Sequence, residues 1–160
     1  MKGARGHRRG GFTLVELLAV LAIVALLVSM ARPLWELSVR RQQEVQLKAA
    51  LRTLRAALDD HRRAWDAGQL QRGEGDTGWP ASLRTLVDGV PSARDPQRRV
   101  YFLRRLPRDP FADATLPAEQ TWALRSSGSP PDDPQPGDDV FDVASRSTRI
   151  GLDGSPHASW

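Results

Sequence analysis

From Phe12 to Ala31 the chain is apolar at every position except Thr13, Glu16 and Ser29. Twenty such residues in a helix rise about 30 Å, the thickness of a bilayer's hydrocarbon core. The run predicts a membrane-length helix over 12–33, closed by Arg32-Pro33. Proline removes a helix hydrogen bond and bends the axis. Pro33 therefore either kinks a continuing helix or marks the exit from the membrane. Beyond it the pattern changes. Leu47, Leu51, Leu54, Leu58 and Trp65 recur at steps of 4, 3, 4 and 7, one face of an amphipathic helix over 34–65. Arg40, Arg41, Lys48, Arg52, Arg55, Arg62 and Arg63 fall on its other faces as a solvated basic surface. Arg40 and Arg41 lie close enough to the membrane to reach anionic headgroups.

The remainder, 66–160, breaks into short pieces. Asp66 to Gly78 holds four glycines and predicts a loop. Trp79-Pro80 is expected to open a short helix carrying Leu83, Leu86 and Val87, with Gly89 and Pro91 ending it. Val100 to Leu103 is an apolar run too short to assign. Leu106-Pro107-Arg108-Asp109-Pro110-Phe111 is a rigid, extended turn because two prolines flank the aspartate. Trp122 to Ser126 predicts a strand. Ser127 to Asp139 contains Pro130, Pro131, Pro134 and Pro136 and predicts a loop. Val140 to Val143 and Thr148 to Leu152 are expected as short strands, and Asp153-Gly154 as a turn. The fold class is α+β: a long N-terminal helix whose second half packs on a small antiparallel sheet.

The net charge of +4 is unevenly placed. Residues 1–11 carry Lys2, Arg5, Arg8 and Arg9 and no acid, while the chain after Ala31 has 19 basic and 18 acidic residues. No basic domain surface suggests nucleic-acid binding. A basic segment ahead of a first apolar helix stays in the cytoplasm, which sends the rest across the membrane. There is no cysteine, so disulfides and thiolate chemistry are excluded. His7, His61 and His157 are far apart, with no ligand spacing around them, and no glycine-rich phosphate loop occurs. The chain is not expected to be an enzyme.

Glu16 is the anomaly. A secretory signal peptide would fit the basic leader and Ser29-Met30-Ala31, yet its apolar region usually runs 7–15 residues without a charge. A plain membrane anchor leaves an ionised carboxylate costing about 2.5–3.5 kcal/mol at the bilayer centre. Gly10-Gly11-Phe12-Thr13-Leu14-Val15-Glu16-Leu17 resembles the class III prepilin processing signal of type IV pilins and type II secretion pseudopilins. The resemblance implies cleavage between Gly11 and Phe12 and N-methylation of Phe12. Phe12 and Glu16 are i and i+4 and share a helix face, so the freed amine can neutralise the carboxylate. Within a filament, Glu16 would pair with the amine of an adjacent subunit and fix axial register. The alternative is a Glu16 that is simply protonated or snorkels to the interface.

Two further stretches, Leu106–Phe111 and Asp142-Val143-x-Ser145 through Leu152-Asp153-Gly154 to Trp160, resemble the major pseudopilin of type II secretion. That resemblance implies a type IV pilin-like fold: a cleaved leader over 1–11, a transmembrane and assembly helix over 12–33 with Pro33, an amphipathic helix over 34–65, and a periplasmic head over 66–160. It implies a single-pass protein of the bacterial inner membrane with its N-terminus in the cytoplasm. Its partners would be copies of itself and other pseudopilins, the prepilin peptidase and the inner-membrane assembly platform. Calcium in the C-terminal loop is also implied, with Asp138, Asp139, Asp142, Asp153 and Ser145 supplying the oxygen ligands it prefers. The alternative is that these acids only solubilise the loop. The glycine- and acid-rich stretch usual after the final Asp-Gly is shortened here to Ser155–Trp160. A type IV pilin shares the same N-terminal residues but often closes its C-terminal region with a disulfide, impossible here. A Sec-exported or anchored periplasmic binding protein is the alternative from another class.

Overall fold

The computed structural model describes residues 13–160, and for 30–34 only the backbone. The chain is α+β. Helix α1 (Leu14–Asp66) is followed by α2 (Leu83–Asp88), β1 (Val90–Pro91), β2 (Arg99–Val100), β3 (Trp122–Arg125) and β4 (Asp142–Ser145). Short 3-10 turns lie at Ala118–Thr121 and His157–Ser159. Two compact units divide the chain, Met1–Arg40 and Arg41–Trp160.

In the first unit the described chain is the apolar part of α1. The backbone stays helical through position 33, so Pro33 lies inside a helix and does not end it.

In the second unit the predicted face of α1 is the core. Leu47, Leu51, Leu54 and Leu58 are buried against Leu83 and Leu86 of α2, Trp122 of β3, Val143 of β4 and Val140 just before it. Trp65 is only half-buried; Ala64 and His61 cover that end of the face. Helix α2 starts later than its proline suggests. Ser82 is the N-cap, its hydroxyl accepting the Thr85 N–H, and Pro80 stays outside. Gly89 ends the helix at φ 76, and its N–H donates to the Thr85 carbonyl at 2.9 Å, closing the last turn.

The strands form two separate antiparallel pairs, β1 with β2 and β3 with β4, where a single small sheet was expected. β4 is Asp142–Ser145, two residues beyond the predicted start, in register Trp122↔Ser145 to Arg125↔Asp142. Thr148–Leu152 is not a strand; it has one isolated bridge, Ile150↔Pro156. The Leu152 N–H goes instead to the Glu44 carboxylate on α1, at 3.0 and 3.2 Å. A side chain outcompetes a ladder partner there because Gly151 and the Asp153-Gly154 turn fold the segment back.

The Leu106–Phe111 turn is held at both ends of its aspartate. Asp109 is buried, accepts the Phe111 N–H at 2.8 Å and the Ser145 hydroxyl at 2.5 Å, and donates its own N–H to Thr121 Oγ1. The Pro107 carbonyl accepts the Trp122 indole N–H at 3.0 Å. The two prolines thus present their neighbours' polar groups to β3 and β4 in a fixed shape.

Candidate functional site at the start of the long helix

Thr13 is where the described chain enters its helix. Its carbonyl accepts the Leu17 N–H at 3.1 Å and its hydroxyl accepts the Glu16 N–H at 3.2 Å. That is an N-cap: one of the helix's unsatisfied donors is met by a side chain. Glu16 therefore sits at the third helical position, in the first turn, where the helix dipole favours a negative charge. Thr13-Leu14-Val15-Glu16 has the spacing of a capping box, in which the acid can reach back to the cap. The threonine's role is legible in that spacing, since cap and acid are three residues apart.

Every large apolar side chain from Leu14 to Val28 is exposed, the least so being Val24 at 48%. They surround the helix and do not form one stripe. A helix apolar all round is stable only when something apolar surrounds it, lipid or other helices. Among the described residues no helix is long and apolar enough to cross a membrane. The side chains described in this segment stop at Ser29, whereas the apolar sequence runs on to Ala31. Gly11 and Phe12, the expected cleavage pair, lie outside the described residues, and only the backbone of Pro33 is described.

Residues 6–31 match the prokaryotic N-terminal methylation motif. No curated protein and no solved structure matches the chain. The motif is the signal of prepilin substrates of the pilin-like or pseudopilin-like kind. It includes Gly11, Phe12, Thr13 and Glu16 and ends before the head.

The acids expected to hold calcium are not brought together. Among the described residues no three acidic or histidine side chains gather around a metal position. Asp139, Asp142 and Asp153 each have another partner. Asp142 pairs with Arg55 of α1 at 2.9 Å. Asp153 pairs with Lys48 at 2.8 Å, and the lysine and the Ser155 hydroxyl hold its carboxyl well below the usual range. Asp139 is buried and accepts the Thr77 hydroxyl at 2.5 Å and the Ser127 hydroxyl and N–H at 2.6 and 2.8 Å. Ser145, the expected fifth ligand, donates to Asp109. Asp138 is exposed. The physical reason is that α1 supplies cations to two of these carboxylates and the loops supply hydroxyls to the third.

That pairing fastens the last segment to α1. Arg55 also donates to the Val143 and Trp160 carbonyls at 3.0 and 2.6 Å. His157, fully buried, places Nε2 3.7 Å from Glu44 Oε1 and hydrogen-bonds Ser147 through Nδ1. The other buried histidine, His61, donates from Nδ1 to the Gly78 carbonyl; burial lowers its pKa, and that hydrogen bond works the other way. Both histidines are packing residues of the head.

Asp139 gives a pH prediction. Burial pushes its pKa up, but the Ser127 and Thr77 hydroxyls and the Ser127 N–H outweigh it, so the carboxyl titrates below its ordinary 3.8. A depressed carboxyl stabilises the fold above its unfolded pKa, and that stability is lost as pH falls through the folded value. Asp139→Asn is expected to cost about 1–3 kcal/mol at pH 7 and to make the loss of stability below about pH 4 shallower. Thermal melts across pH measure both; an unchanged acid limb would contradict it.

Proposed function

We propose that this chain is a pseudopilin of a type II protein secretion system, a structural subunit without enzymatic activity. After cleavage behind Gly11, subunits would leave the inner membrane and stack into a periplasmic pseudopilus that moves exported proteins toward an outer-membrane channel. The observation that carries this is Glu16, the single acid of the apolar run, in the first turn of a helix capped by the methylation motif's own threonine. In a filament interior, that position pairs it with a neighbour's Phe12 ammonium. Leu14, Leu17, Leu18, Leu21, Ile23 and Leu27, all exposed in the single chain, would build the filament core. The secretion assignment, as opposed to a pilus, is supported by the Leu106–Phe111 turn pinned into the head and by the absence of any cysteine.

The mature chain is expected to begin with N-methyl-phenylalanine at Phe12, as read by mass spectrometry of its N-terminal peptide. A start at Arg32 would instead identify a Sec substrate and end the filament reading. Deleting the gene is expected to stop protein export while leaving surface pili intact; the reverse outcome would assign the chain to a pilus.

A further inference from the structure

The second unit carries an unused basic edge and an unused acidic loop on opposite sides. Arg104 and Arg105 line a groove of about 660 Å³ against α1, whose near wall is Gln46, Ala49, Ala50 and Thr53. They also line a smaller groove with Arg84, Asp88 and Glu119, where Arg84 already engages both acids at 3.4 and 4.0 Å. Among the described residues neither Arg104 nor Arg105 makes an ion pair or a side-chain hydrogen bond, and both are exposed. Arg108, at the groove's end, is spent on the Leu116 and Asp113 carbonyls.

The acidic counterpart is Pro131-Asp132-Asp133-Pro134-Gln135-Pro136-Gly137-Asp138. The loop bends at 131–133 and is tied back to Ser126 and Ser129, which leaves its acids at the surface. Asp132 and Asp138 are exposed and, among the described residues, their carboxylates are unpaired; the Asp133 carboxylate accepts the Gln135 side-chain amide and its carbonyl accepts the Ser129 hydroxyl. The cation nearest in sequence, Arg125, is turned to the Ser129 carbonyl and the Phe141 ring.

Helix geometry keeps the two apart. At about 100° per residue, the positions facing the groove, 46, 49, 50 and 53, lie roughly opposite Arg55. Arg55 lines the cavity beneath Pro131 and Pro134. One chain cannot lay its own loop in its own groove. A contact between unlike patches on two copies is head-to-tail, and such a contact propagates as an open filament when its rotation does not close a ring.

We propose that the Arg104–Arg105 groove of one subunit receives the Asp132–Asp138 loop of a second copy of this chain. This rests on the filament reading and adds a contact between heads to the one at Glu16. The pairs are solvent-exposed, so they set register and are screened by salt.

The test uses the full-length chain with its assembly machinery. R104E/R105E and D132R/D138R are each expected to be processed normally and yet to reduce filament yield at least tenfold. Co-expressed, they complement, because each supplies the surface the other has reversed. Either variant assembling like wild type, or the pair failing to complement, overturns the contact. Because the chain has no cysteine, R105C and D132C chains mixed in a filament and treated with a mild oxidant should give a disulfide dimer. No dimer in an intact filament removes this contact alone; a wild-type chain that forms no filament removes the filament reading and the contact with it.

Discussion

Glu16→Leu is expected to yield a chain that inserts, is cleaved behind Gly11 and never enters filaments. The substitution removes the only charge in the apolar run, so insertion becomes easier. The helix start survives, because the Thr13 hydroxyl still accepts the N–H of residue 16 and the lost charge–dipole term is only about 0.3–1 kcal/mol. What disappears is the counter-charge for a neighbour's Phe12 ammonium. An ion left unpaired in an apolar filament core costs about 3–5 kcal/mol, repeated at every subunit, which is enough to prevent growth. Glu16→Gln, of the same size and without the charge, should fail in the same way. Counting wild-type and variant chains in sheared or purified filaments measures it; normal incorporation of the leucine chain would remove the pairing role.

The largest effect on the head is expected from Trp122→Ala. Trp122 is fully buried, packs in the cluster that joins α1 to β3 and β4, and donates to the Pro107 carbonyl at 3.0 Å. Its own carbonyl accepts from Arg146 at 2.9 Å. Truncating a buried tryptophan costs about 3–5 kcal/mol, and the orphaned Pro107 carbonyl adds about 1–3 kcal/mol. Against a total stability of about 5–15 kcal/mol, the head is expected to unfold or sit at the edge of doing so. Trp122→Phe keeps most of the volume and loses one hydrogen bond, so its loss should be a small part of the alanine's. Circular dichroism melts of the mature protein compare the three; an alanine variant melting within a few degrees of wild type would contradict this account of the core.

Everything that bears on Glu16 is local: the acid, the glycines before it and the threonine three residues earlier occupy one helical turn and its approach. The amphipathic face of α1 was legible for the same reason, since a 3.6-residue period writes itself into any helix with one buried side. Leu47, Leu51, Leu54 and Leu58 are buried as their spacing requires. The tryptophan's importance was not legible. Its spacing predicts a strand, and nothing nearby announces that its indole meets a proline carbonyl from the preceding turn.

The acids of the last third show the limit most clearly. Asp139, Asp142 and Asp153 read from the sequence as one oxygen-rich set. In the folded head they meet Thr77, Arg55 and Lys48, separated from them by 62, 87 and 105 positions. A carboxylate takes whichever donor or cation the fold brings within about 3 Å, and sequence order carries no record of that distance. Thr148–Leu152 failed as a strand on the same ground: Glu44, 108 positions away, claims the Leu152 N–H. The processing signal, the long helix, its buried stripe and the α+β class were thus determined by the sequence itself, because short-range periodicity and capping specify them. The split into two strand pairs, the partners of every buried acid and the opposed placement of Arg104–Arg105 and Asp132–Asp138 were decided only by tertiary structure, because they depend on which distant segments pack against the same helix and from which side.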